Sequence, residues 1–168
     1  MWMFALIPFA VQAIAIVIDE GYFHYKRGLP LWERIGHPLD TLSMLICLGF
    51  VIYAPFTTQN LVIYTLLAVF SCLMVTKDEF VHKHHCPGAE NWLHALLFIL
   101  HPITLITAGV IWPVTQGVEI PVWLSSWLDN PSGLHDFLYV QFWAIFVFFF
   151  YQAFFWNVVW RNKPVIKQ

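Results

Sequence analysis

The chain has 168 residues, 60% of them apolar and only 11% charged, with a formal net charge of −2. A soluble domain would carry about a quarter charged residues, so the composition excludes a soluble globular protein, and the lack of a basic patch excludes nucleic acid as a partner. The length allows roughly five membrane spans of about 20 residues, which predicts an all-α integral membrane protein in which residues 1–168 form a single transmembrane domain.

The first helix is expected over residues 2–25. Its early part is apolar apart from Gln12 and runs into Asp19 and Glu20 with no turn signal between. Gly21 weakens the helix without ending it; Lys26-Arg27-Gly28-Leu29-Pro30 ends it. Glu20 and His24 are spaced i, i+4 and share a face if the helix continues. A connection over residues 29–36 follows. The second helix is expected to start near His37-Pro38-Leu39-Asp40, since proline suits a first turn and the dipole favours a carboxylate there. It should run to about Ala54, before Pro55.

The third helix is expected over residues 61–85 and the fourth over 90–112, with Cys86-Pro87-Gly88-Ala89 as the turn. Pro102 should free the carbonyl of Phe98 and bend the fourth helix, and Pro113 should mark its end. The loop 115–136 contains a stretch, 121–128, that reads as a short interfacial helix with its tryptophans at headgroup depth. The fifth helix, 137–160, is crowded with aromatic residues whose plain role is lipid contact. Gln141 and Gln152 share one face of it and should point into the bundle. No internal repeat and no low-complexity segment stands out. Cys47, Cys72 and Cys86 form neither a disulfide framework nor a C-x-x-C motif, and the N-terminus lacks a basic n-region, so the first apolar run reads as a retained span.

With five spans, all eight basic residues fall at one end: Lys26, Arg27, Arg34, Lys77, Lys83, Arg161, Lys163 and Lys167. By the positive-inside rule that end, with the C-terminus, is cytoplasmic. The histidines share the partition except His135. Four helix ends converge there, each bringing a carboxylate with a histidine at helical spacing: Glu20/His24, His37/Asp40, Asp78 or Glu79 with His82 and His85, and Glu90/His94. Glu90, His94 and His101 form one stripe, with His101 about 10 Å deeper than His94. The bland readings are a helix-start carboxylate for Asp40, a packing residue for His101, and solvated or ion-paired groups for Asp19 and Glu33. Collectively the pairs point to a metal, because buried unpaired charges cost several kcal/mol each.

Di-metal centres in four-helix bundles use glutamates on two helices and Glu-x-x-His on two more. Glu79-Phe80-Val81-His82 is one such motif. Val81-His82-Lys83-His84-His85 is similar to the histidine boxes of membrane hydroxylases, reading H-x-H-H where those boxes read H-x-x-H-H. In ligand pattern the chain thus resembles integral-membrane di-iron oxidases, hydroxylases and desaturases. The resemblance implies two Fe ions (alternatives Mn or Zn), held at the cytoplasmic end by ligands drawn from Glu20, His24, His37, Asp40, Asp78, Glu79, His82, His85, Glu90, His94 and His101. It implies oxidation of a membrane lipid or other lipid-soluble substrate by O₂, with an electron donor as partner. A second class is a zinc hydrolase of lipid amides or esters, with His82, His85 and His94 as ligands and Glu79 or Asp40 as the catalytic carboxylate. A third is a metal or proton carrier, against which stands the apolar far half of every helix. The oligomeric state is not encoded in any of these features.

Overall fold

A computed structural model describes residues 1–77 and 86–160. Among these the regular structure is all helical, and five helices are long and apolar enough to cross a membrane: span 1 (Trp2–Arg27), span 2 (Leu31–Tyr53), span 3 (Thr58–Thr76), span 4 (Gly88–Thr115) and span 5 (Pro131–Val159). The chain is a multi-pass membrane protein. Exposed apolar side chains such as Val17, Leu66, Phe70, Ile99, Ile106 and Val147 cover its outer face, where water would make them costly and lipid does not.

Span 4 packs against spans 1, 2, 3 and 5, and span 2 lies between spans 3 and 5. The core beneath them gathers Phe9, Leu48, Tyr64, Leu105, Ile111 and Trp112, with Leu134 and Leu138 from span 5. Polar ties close the end away from the basic residues. Trp112 Nε1 and Gln116 Nε2 both donate to the carbonyl of Ala54 (3.0 and 2.7 Å), and Gln116 Oε1 accepts from the Phe56 amide at 2.6 Å. These satisfy groups that the end of span 2 leaves open. Thr57 caps span 3 by accepting from the Asn60 amide at 3.1 Å, and Asn130 caps span 5 by accepting from the Gly133 amide at 3.1 Å.

Span 2 departs from expectation at its start. It begins at Leu31, with Pro30 as its N-cap, and carries Pro38 inside. Pro38 has no N–H to give the carbonyl of Arg34, four residues earlier. Asn157 of span 5 supplies the missing donor, its Nδ2 lying 3.2 Å from that carbonyl. The connection between spans 1 and 2 is therefore only residues 28–30. Gly28 makes it possible, at φ 78° and ψ 161°, a region essentially reserved for glycine. Pro113 likewise lies inside span 4, which ends at Thr115. The short helix Val122–Trp127 forms as expected, with Trp123 and Trp127 exposed.

Close packing in the core gives one test. A Cβ on Gly109 would stand 3.0 Å from Tyr64 Cε1, and the Tyr64 hydroxyl is tethered to the Leu105 carbonyl at 2.6 Å, one turn away. The ring cannot swing clear without breaking that bond. Gly109→Ala gains about 1 kcal/mol of helix propensity against about 1–3 kcal/mol of overpacking. We expect a net loss of about 1 kcal/mol in a detergent unfolding titration; a stabilised variant would show the ring free to move.

Candidate metal centre

Span 1 does not finish as an α-helix. Asp19–His24 is a π-helical turn, followed by one α turn, Tyr25–Arg27. A π turn bonds residue i to i+5, so His24 stacks over Asp19 as well as near Glu20. His24 Nδ1 is 3.2 Å from Glu20 Oε2, and its Nε2 is 3.2 Å from Asp19 Oδ2. A regular helix would offer His24 only the first of these partners. Such turns are frequent at functional sites.

Span 4 brings Glu90 and His94 against this turn. His94 Nε2 is 3.1 Å from Asp19 Oδ1, and Glu90 Oε1 is 3.8 Å from His24 Nε2. Span 2 brings Glu33 and His37, whose Oε2 and Nε2 are 3.9 Å apart; the rings of His24 and His37 lie 4.7 Å centre to centre. Arg27 reaches into the middle. Its Nη2 is 2.8 Å from Glu33 Oε2 and 2.8 Å from Glu90 Oε1. Span 5 closes the fourth side, where Trp156 donates its indole N–H to Glu20 Oε1. Arg27, Glu33, Glu90 and His24 are each at most 2% exposed.

One guanidinium answers Glu33 and Glu90, but the described partners of Asp19 are two imidazoles, and those of Glu20 an imidazole and an indole. Buried carboxylates of this kind need a compensating cation. His24 Nε2 is the telling atom. It is buried, faces oxygens of Asp19 and Glu90, and makes no hydrogen bond with either. Ligand atoms of Asp19, His24, Glu90 and His94 all lie within 4.8 Å of one another, and so do those of His24, Glu33 and His37. Donors around one ion with bonds of about 2.0–2.2 Å lie no more than about 4.4 Å apart, so a small contraction of each group would close it around an ion. Two imidazoles with two carboxylates suit iron, manganese or zinc. Burial pushes the nearby Cys86 thiol up.

A cavity of about 340 Å³ opens above the cluster, bounded by Phe9, Ile16, Met44, Phe98, Ile145 and Phe148 and floored by Asp19, Glu20, His24, His37 and His94. Gln141 and Gln152 both line it, as the sequence led us to expect, and Gln152 accepts a hydrogen bond from Thr41 at 2.6 Å.

The expected ligands divide as follows. Glu20, His24, His37, Glu90 and His94 come together. Asp40 does not join them: both its oxygens are held by Lys77 Nζ, at 2.6 and 2.7 Å, and it meets the same cavity from the side. His101 stands apart too. Gln12 Nε2 donates to its Nδ1 at 3.1 Å, which leaves Nε2–H to donate to Ser71 at 2.9 Å. Ser71 in turn meets Ser43 at 2.7 Å, and Ser43 donates to the Asp40 carbonyl. Both ring nitrogens are engaged, so His101 belongs to a hydrogen-bonded chain rather than to the cluster. Asp78, Glu79, His82 and His85 lie outside the described residues.

Three members were not expected as ligands or partners of the site: Asp19, Glu33 and Arg27. One signal in the sequence marks Glu33. Pro30-x-x-Glu33-x-x-x-His37 and Pro87-x-x-Glu90-x-x-x-His94 share one spacing. Comparison with family models, with curated proteins and with solved structures finds no match for the chain.

Proposed function

We propose that the chain is a membrane-embedded, iron-dependent oxidoreductase acting on a lipid-soluble substrate. The observation that carries the metal is His24 Nε2, buried against two carboxylates without a hydrogen bond. The four donors Asp19, His24, Glu90 and His94 would hold the ion, and the excess of carboxylate over thiolate favours iron or manganese over zinc. Bound there, the metal supplies the redox chemistry. The chain supplies the rest: an apolar cavity that takes a hydrocarbon and excludes water, with Trp156 and Arg27 fixing the carboxylates by hydrogen bonds that orient them. The overall reaction would be RH + O₂ + 2e⁻ + 2H⁺ → ROH + H₂O or the corresponding desaturation, with the electrons from a donor partner. The side chains of the cluster sit at the basic end of the bundle, which the positive-inside rule assigns to the cytoplasm.

Elemental analysis of the detergent-purified protein, with optical spectra in air and after reduction, tests the reading. Bound iron whose spectrum changes on reduction is the expected result. Zinc in its place would overturn the redox reading in favour of hydrolysis, and a protein free of metal would overturn both. A reporter fused to the C-terminus should read cytoplasmic; a signal from the opposite side would reverse the assigned orientation.

A further inference from the structure

The shared octet extends upstream. Asp19-Glu20 and His24 precede the first octet, and Asp78-Glu79 and His82 precede the second. The first copy has one more residue between the Asp-Glu pair and its histidine, and one more between the histidine and proline. The first additional residue falls within Asp19–His24, the π-helical turn. A helix accommodates an inserted residue by widening one turn from i+4 to i+5 bonding. The additional residue of the first copy and its π turn thus fall in the same place.

The backbone agrees with the sequence over the described residues. Pro30 and Pro87 are both N-caps, at φ −65° with ψ 160° and φ −65° with ψ 156°. In each helix the amide four residues on, Arg34 and Asn91, donates to the proline carbonyl at 3.1 Å. The equivalent glutamates then meet at one atom, since Arg27 Nη2 stands 2.8 Å from each. The equivalent groups of the two octets thus converge on one cation, Arg27.

We propose that spans 1–2 and spans 3–4 are two copies of one helical hairpin, and that each copy's Glu/His pair serves its own ion: Glu90/His94 with Asp19 and His24, and Glu33/His37, which His24 also approaches. The centre is a dinuclear one built by duplication. This rests on the metal reading above. Arg27 does not block the second position, because each carboxylate oxygen keeps another lone pair, and the fixed cation limits repulsion between the two glutamates.

Metal stoichiometry decides it. The wild-type protein should hold two ions per chain, and Glu33→Gln/His37→Ala should hold one, at unchanged helicity and elution volume. One ion in the wild type, lost on His94→Ala, would overturn the duplication of the centre while leaving the proposed function standing. Two ions retained in the Glu33→Gln/His37→Ala protein would also overturn it. No ion in the wild type would overturn both. If that double variant does not fold, the wild-type ratio alone decides.

Discussion

Arg27→Met is expected to be the most damaging single substitution in the bundle. It removes the guanidinium that, among the described residues, contacts both Glu33 and Glu90, each no more than 1% exposed on its side chain. Breaking a buried ion pair from one side costs about 3–5 kcal/mol, because the partner charge is stranded; here two are stranded, and methionine restores the packing of the stem but not the charge. The loss should be read as a lowered unfolding midpoint in detergent. It should be larger after chelation, which takes the charge of the metal away from the glutamates. A loss below about 1 kcal/mol in the chelated protein would show the two carboxylates to be neutral or hydrated, and would remove the electrostatic argument for a metal as well.

His24→Ala is expected to abolish metal binding altogether. His24 is the residue common to both ligand groups, and its two ring nitrogens face Glu20 and Asp19. Even the loss of an outer partner of a metal ligand costs roughly 10–100-fold in affinity, and a shared ligand should cost more. The coupled effect is on stability. A metal present at about 1,000 times its dissociation constant stabilises the folded state by about 4 kcal/mol. Chelation should therefore lower the unfolding midpoint of the wild type and leave that of the His24→Ala protein unchanged. An equal response of the two proteins would place the metal elsewhere.

The five spans were legible because apolar runs and one-sided basic residues are properties of whole segments, insensitive to local detail. The site was legible only where its spacing was regular. Glu20/His24 and Glu90/His94 are i, i+4 pairs on continuous helix, and they could be read directly. Asp19 reaches His24 only through the i+5 geometry of a π turn, which no helical periodicity announces. Glu33 was hidden by a proline. Taking Pro38 as a first-turn residue put Glu33 in a loop, whereas the helix starts at Leu31 and makes Glu33 and His37 neighbours on one face. Asp40 has a helical spacing to His37, yet Lys77 claims it. His101 lies on the expected stripe but one layer deeper, among Gln12 and Ser71. Spacing along one helix gives direction; it says nothing of which neighbour arrives from another span.

The tie between Asn157 and the carbonyl that Pro38 leaves open bears on how the protein is made. Hydrogen bonds tie the end of span 5 to earlier parts of the chain, Asn157 to Arg34, Trp156 to Glu20, and Gln152 to Thr41. Span 5 also forms one wall of the cavity. During synthesis it follows the other four described spans into the membrane, after every described donor of the cluster is already there. Until it docks, lipid has free access to the carboxylates, and the Arg34 carbonyl lacks its donor. The cavity is thus sealed by a span made after the other four described spans, and that span finds its register from groups that the first two spans left waiting.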